Sequence, residues 1–142
     1  RPRFSSSIQQ WVKRLGAAVI APNVRGSNGY GKDYLKMDNG FKREDSVKDI
    51  GALLDWVKTQ PDLDSDRVAV IGGSYGGYMV AAALAFEPES FDVGINIFGV
   101  TNWVRTLESI PPWWGSFRTA LFAELGDPST DKDRLTAIGK SR

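Results

Sequence analysis

One stretch, Val68 to Met79, constrains this chain more than any other. Val68, Ala69, Val70 and Ile71 make a short, apolar, largely β-branched run, which predicts a buried strand. Gly72-Gly73-Ser74-Tyr75-Gly76 follows and matches Gly-x-Ser-x-Gly. Tyr78 to Phe86 is apolar and Ala-rich, which predicts a buried helix. Strand, sharp Gly turn with a central serine, then helix is the order of a nucleophile elbow. The turn brings strand and helix backbones nearly into contact. The positions two before and two after the serine are therefore expected to be small, as Gly72 and Gly76 are. The serine is forced into a strained backbone conformation that lifts its hydroxyl clear of the sheet. The Tyr75 N–H then lies at a helix N-terminus, unpaired and positively polarised, where it can hold an oxyanion.

Gly-x-Ser-x-Gly alone is a weak signal, and an ordinary strand-to-helix turn of a nucleotide-binding sheet is the competing reading. The apolar flanks on both sides favour the elbow. The chain's 142 residues suit one domain or part of one. A net charge of +1 gives no footprint for nucleic acid or an anionic membrane surface. There is no run of 18 apolar residues, so no helical membrane span is expected. Cysteine is absent, which removes disulfides and thiolate metal sites and fits a reducing compartment such as the cytoplasm. No metal or cofactor is expected. Arg1-Pro2-Arg3-Phe4 has neither an initiator Met nor the apolar core of a signal peptide, so the chain is expected to begin inside a longer product. Histidine is also absent, and that matters most for chemistry.

Ser5-Ser6-Ser7 can cap a helix carrying Ile8, Trp11, Val12 and Leu15, with Gly16 as its stop. Ala17 to Pro22 reads as a parallel strand. The Gly-rich loop from Asn23 to Lys32 must turn several times, and a short helical piece over Asp33 to Met37 is broken by Asn39-Gly40. Arg43 to Gln60 reads as a long amphipathic helix with Val47, Ile50, Leu53, Leu54 and Val57 on one face, ended by Pro61. Val93 to Phe98 is a further strand and Thr101 to Glu108 a short helix. Pro111-Pro112 breaks the chain, and Phe117 to Leu125 suggests another helix. The tail from Ser129 to Arg142 is polar and partly helical. Strands alternating with helices imply a parallel sheet covered on both faces, with no internal domain boundary.

Several features compete with the elbow for attention. Gly26 to Lys32 matches Gly-x-x-x-x-Gly-Lys, but Asp33 stands where a phosphate loop needs Ser or Thr for magnesium. Nucleotide binding is set aside on that ground. Arg25 could hold a substrate carboxylate, but a structural ion pair with Asp45 or Asp49 is the favoured reading. Trp113 and Trp114 read as core. Lys13, Lys42 and Lys48 read as solvated surface.

Two long motifs in order, Asn23-Val24-Arg25-Gly26-Ser27-Asn28-Gly29-Tyr30-Gly31 and Gly72-Gly73-Ser74-Tyr75-Gly76-Gly77-Tyr78-Met79, resemble the catalytic domain of the prolyl oligopeptidase family. Within it they look most like the acylaminoacyl-peptidase and dipeptidyl-peptidase-like serine peptidases. The resemblance covers nearly the whole chain. It implies an α/β class with a partial α/β-hydrolase fold, a mostly parallel sheet flanked by helices. It further implies Ser74 as nucleophile, the Tyr75 amide as half of the oxyanion hole, and Val100 and Trp103 as lining for the residue before the scissile bond. The substrate implied is a peptide or acyl-peptide.

The departure from the pattern is equally informative. The triad in this fold runs Ser, then Asp or Glu, then His. After Ser74 none of Asp92, Asp127, Asp131 or Asp133 follows an apolar strand, and there is no His at all. The resemblance therefore makes residues 1–142 the central part of a catalytic domain, without the upstream oxyanion loop and the downstream Asp and His. It also implies that the strand leading into that upstream loop lies between the strands at Ala17 to Ala21 and Val68 to Ile71. The full-length protein is expected to be a serine peptidase and this piece nearly inactive. A carboxylesterase on the same elbow, and a non-catalytic module that associates through open sheet edges, are the alternatives.

Overall fold

β1 (Ala69–Gly73) runs straight into helix α4 (Tyr75–Phe86), and the rest of the chain is arranged around that pair. The computed structural model describes residues 3–139. Before β1 come α1 (Ser6–Leu15), α2 (Lys32–Leu35), a 3-10 turn at Gly40–Lys42 and α3 (Asp45–Val57). After α4 come β2 (Val93–Ile97), α5 (Trp103–Glu108), α6 (Gly115–Leu125) and α7 (Lys132–Gly139), with 3-10 turns at Pro88–Ser90 and Pro112–Trp114. The expected tail helix is thus α7, and residues 140–142 lie outside the described region.

β1 and β2 pair in parallel, Ala69 opposite Val93 through Gly73 opposite Ile97. The period of two then divides the side chains. Val70 and Gly72 share a face with Gly94 and Asn96, and α4 lies on that face: a Cβ on Gly94 would stand 2.4 Å from the Leu84 side chain. The opposite face carries Ile71, Val93, Ile95 and Ile97, all 42–49% exposed. The core therefore sits on the helical side only. It gathers Tyr78 and Ala82 of α4, Val47 of α3, Trp103, Val104 and Leu107 of α5, Leu125 of α6 and Leu135 of α7.

Local signals hold at the ends of elements. Ser5 caps α1, its hydroxyl accepting from the Ile8 amide at 3.4 Å, and Gly16 closes it at φ 63°. α1 nonetheless buries none of its residues, and Leu15 is 74% exposed. α3 begins at Asp45 rather than Arg43, because Arg43 turns inward and is buried.

Three expectations fail. Ala17 to Pro22 forms no strand, so the sheet has two strands rather than three. A strand is stabilised by a ladder with a neighbour, and among the described residues this segment has none. The parallel sheet is accordingly covered on one face, not two. Trp113 is 82% exposed and Trp114 48%, so neither is core. Lys13, Lys42 and Lys48 are exposed as expected.

Candidate active site

Ser74 occupies the single residue between β1 and α4, with φ 54° and ψ −117°. Among the described residues only Ser74 and Phe98 combine a side chain with positive φ. Such strain persists only where the surroundings enforce it. Here the enforcement is visible: the Ser74 amide donates to the Ile97 carbonyl at 3.0 Å, and the Ser74 carbonyl accepts from Gly77 at 3.0 Å and Tyr78 at 3.3 Å. The Val100 amide also reaches that carbonyl at 3.4 Å, tying the chain beyond β2 to the elbow. Ser74 itself is exposed. The Tyr75 and Gly76 amides open α4 and have no acceptor inside the helix. An exposed hydroxyl beside two unpaired amides is an arrangement that can deliver a nucleophile and hold the oxyanion it creates.

The small-residue requirement is met differently from the sequence expectation. A Cβ on Gly72 would stand 2.2 Å from the Gly76 carbonyl oxygen, so Gly72 is needed. A Cβ on Gly76 would meet nothing within 4 Å, so that half of the expectation is corrected. The tight position is Gly77, whose Cβ would lie 2.4 Å from Gly99 Cα and 2.5 Å from Asn96 Oδ1. In a right-handed helix the third residue after the serine, not the second, faces back to the neighbouring strand.

Tyr75 is half-buried. Its ring packs against Tyr78 and Trp103 at centroid distances of 5.6 and 5.8 Å, and those two rings meet each other at 5.2 Å. Burial pushes the Tyr75 phenol above its usual range, partly countered by Arg43, and burial does the same to Tyr78. Trp103 is 4% exposed, and its indole N–H is buried without a partner. Val100 is half-buried and packs against the same core. Trp103 thus sits behind Tyr75 rather than on an open wall.

A cavity of about 420 Å³ is lined by Glu44, Tyr78, Ala82, Val100 and Thr101 among others, but by neither Ser74 nor Tyr75. Ser74 is the candidate rather than the cavity's Thr101 because Ser74 has the positive-φ turn and Thr101 does not. Among the described residues no cluster of His, Cys, Asp or Glu could hold a metal.

The Gly-rich loop is anchored, not open. Arg25 Nη2 donates to Asp49 Oδ1 at 2.6 Å, its amide donates to Asp49 Oδ2 at 2.8 Å, and Asp45 lies 3.7 Å away. The structural reading of Arg25 holds, with the pair half-buried. A Cβ on Gly26, at φ 88°, would collide with the Asp38 carboxylate. A negative charge closing that glycine also argues against a phosphate there.

Sequence reasoning gave Arg43 no part beyond opening the long helix. Its side chain is 2% exposed and donates to Asp38 Oδ2 at 2.6 Å, to the Tyr75 hydroxyl at 2.9 Å and to Glu124 Oε1 at 3.0 Å.

The model of the family described as "Prolyl oligopeptidase family" matches residues 2–121. The chain belongs to the prolyl oligopeptidase family. It is 39% identical over 122 residues to dipeptidyl aminopeptidase BIII of Pseudoxanthomonas mexicana, covering 86% of this chain and 18% of that protein. It is 34% identical to dipeptidyl peptidase family member 6 of Caenorhabditis elegans, covering 90% of this chain and 17% of the relative. The chain thus spans less than a fifth of these relatives' length. Among solved structures it superposes on prolyl oligopeptidase B from Galerina marginata with a TM-score of 0.67 at 20% identity, covering 82% of this chain and 16% of that one. A prolyl endopeptidase structure gives 0.68 at 22% identity, covering 84% and 17%. The fold is therefore part of the α/β-hydrolase fold, as the resemblance implied.

Proposed function

We propose that the whole protein carrying this chain is a serine peptidase that hydrolyses peptide or acyl-peptide bonds. The observation that carries the reading is the geometry of Ser74: positive φ at the only residue between β1 and α4, beside the free Tyr75 amide. Ser74 Oγ attacks the scissile carbonyl carbon and its proton passes to a base. The oxyanion is held by the Tyr75 N–H. Collapse expels the amine, which takes up the proton, and leaves an acyl-Ser74 ester. Water then adds to the ester and releases the acid and the serine. Val100 and Trp103 back the pocket for the residue before the scissile bond. A histidine base would come from chain beyond these residues, since there is no histidine here. The test is hydrolysis of dipeptidyl and acyl-aminoacyl arylamides by the whole protein. Ser74→Ala should cost about 10⁶-fold in kcat. Activity on esters but not amides would favour the carboxylesterase alternative, and turnover surviving Ser74→Ala would refute both.

A second reading concerns the 142 residues alone. Among the described residues Ile71, Val93, Ile95 and Ile97 leave one sheet face bare, and both strands have an open edge. Open edges and bare apolar faces invite pairing with another chain. The isolated chain is expected to associate with itself, and sedimentation at ~100 μM checks it: a compact monomer with a cooperative melt would refute association.

A further inference from the structure

We propose that Arg43 is a positioning residue for the elbow: by gripping the Tyr75 hydroxyl it holds the residue whose amide follows Ser74 against displacement from the oxyanion site. The proposal rests on the serine-peptidase reading of Ser74.

The backbone at the elbow is strained. Ser74 is held at φ 54°, a region side-chain-bearing residues avoid, and Gly76 and Gly77 follow directly. The Tyr75 amide direction is set by the rotation between residues 74 and 75. The Ser74 carbonyl lies in the same peptide plane, and the Gly77, Tyr78 and Val100 amides hold it at 3.0, 3.3 and 3.4 Å. The side chain of residue 75 is a second handle on the same residue, and it is held at both ends. Tyr78 and Trp103 pack its ring, and the Arg43 guanidinium donates to its hydroxyl at 2.9 Å while lying 5.4 Å from the ring centre.

Arg43 in turn is itself held by two carboxylates. Asp38 at 2.6 Å and Glu124 at 3.0 Å take two more of its donors, from two different segments. Asp38 is 5% exposed and is packed on Gly26 of the Gly-rich loop. One guanidinium therefore ties the Gly-rich loop, α6 and the elbow together. The arrangement is costly, since Arg43 Nε and Asp38 Oδ1 are buried without partners. Burial, the leading influence on Asp38, pushes its carboxyl up despite Arg43. Buried ion pairs are often no better for stability than apolar packing, whereas they do specify geometry. The geometry specified here is that of the residue whose amide faces the nucleophile.

The experiment uses the whole protein with Ser74→Ala, Tyr75→Phe, Arg43→Lys and Arg43→Met. Tyr75→Phe keeps the ring in its aromatic nest and removes only the hydroxyl that Arg43 holds. It is informative even where Arg43→Met fails to fold. For each, kcat and KM are measured on a peptide arylamide, together with inhibition constants for a peptide aldehyde and for the matching peptide carboxylate. The serine adds across the aldehyde C=O, so its oxygen comes to the oxyanion site, whereas the carboxylate reports ground-state binding. For Tyr75→Phe a fall of about ten- to a hundred-fold in kcat is expected, with KM within about twofold. Aldehyde affinity should fall in parallel, carboxylate affinity should be unchanged, and the melt should be near wild type. Arg43→Lys should retain more than Arg43→Met, because one ammonium can still reach the phenol. Normal kcat and aldehyde affinity in Tyr75→Phe and Arg43→Lys would overturn the proposal, as would equal losses of aldehyde and carboxylate binding. Full activity in Ser74→Ala would instead bring down the serine-peptidase reading, and the proposal with it.

Discussion

Alanine substitutions at the glycines of the elbow should separate sharply, and the structure gives their order. A Cβ on Gly72 would lie 2.2 Å from the Gly76 carbonyl oxygen and 2.4 Å from its carbon. Ordinary contacts between heavy atoms are about 3.5 Å, so β1 and α4 must part by more than an ångström. Neither is free to do so. Gly72 is locked opposite Asn96 in the ladder, and the next link, Ser74 N–H to Ile97 C=O, is 3.0 Å. Overpacking of this kind costs about 1–3 kcal/mol, and each backbone hydrogen bond lost adds about 1 kcal/mol. Gly72→Ala is therefore expected to lose about 3–4 kcal/mol, a large part of the ~5–15 kcal/mol that holds a domain together. At a chain length near 150 residues that is about 10 °C in Tm. Gly77→Ala should come next, since Gly99 Cα is backbone and cannot move aside. Gly76→Ala, with open space around its Cβ, should gain up to about 1 kcal/mol from helix propensity. Far-ultraviolet circular dichroism, followed through heat and urea at one fixed concentration, measures all three. Gly72→Ala and Gly76→Ala lying within about 0.5 kcal/mol of each other, or in reverse order, would refute the steric argument.

Asp49 should shape the acid limb of stability. The Arg25 hydrogen bond, the leading cause, holds its carboxyl below the usual range. A depressed folded pKa means stability that is present above about pH 4 and is lost as pH falls through the folded value. Asp49→Asn should therefore flatten the fall in Tm below about pH 4, and an unchanged slope would show that the Arg25 pair contributes nothing. The isolated 142-residue chain, having no histidine, should turn over activated esters feebly at best. Turnover near ~10 s⁻¹ that disappears in Ser74→Ala would show that a base is supplied from within these residues.

The elbow could be read from the sequence because everything it needs lies within about a dozen residues: an apolar run, a glycine before the serine, an apolar helix after it. Even there the pattern missed one step. Spacing says which residues are small but not where a missing Cβ would point, and the handedness of α4 moves the tight contact from Gly76 to Gly77. Arg43 was invisible for a different reason. Beside Lys42 it looks like one more solvated cation on an amphipathic helix, whereas its Tyr75 and Glu124 partners lie 32 and 81 residues away in sequence. Nothing local distinguishes a cation that finds such partners from one that does not. Arg25 was readable because Asp45 and Asp49 stand one turn apart on a single helix face, a pattern visible without the fold. The failed strand at Ala17 to Pro22 follows the same rule. Its residues have strand character, but a strand exists only as half of a pair, and among the described residues it pairs with no strand. Trp113 and Trp114 repeat it once more: their apolar surface seeks cover, and Trp113 remains 82% exposed because no described element lies over it. Elements whose partner lies among the described residues, as with β1 and β2, therefore form as read, while the run at Ala17 to Pro22, which has no such partner, forms no strand.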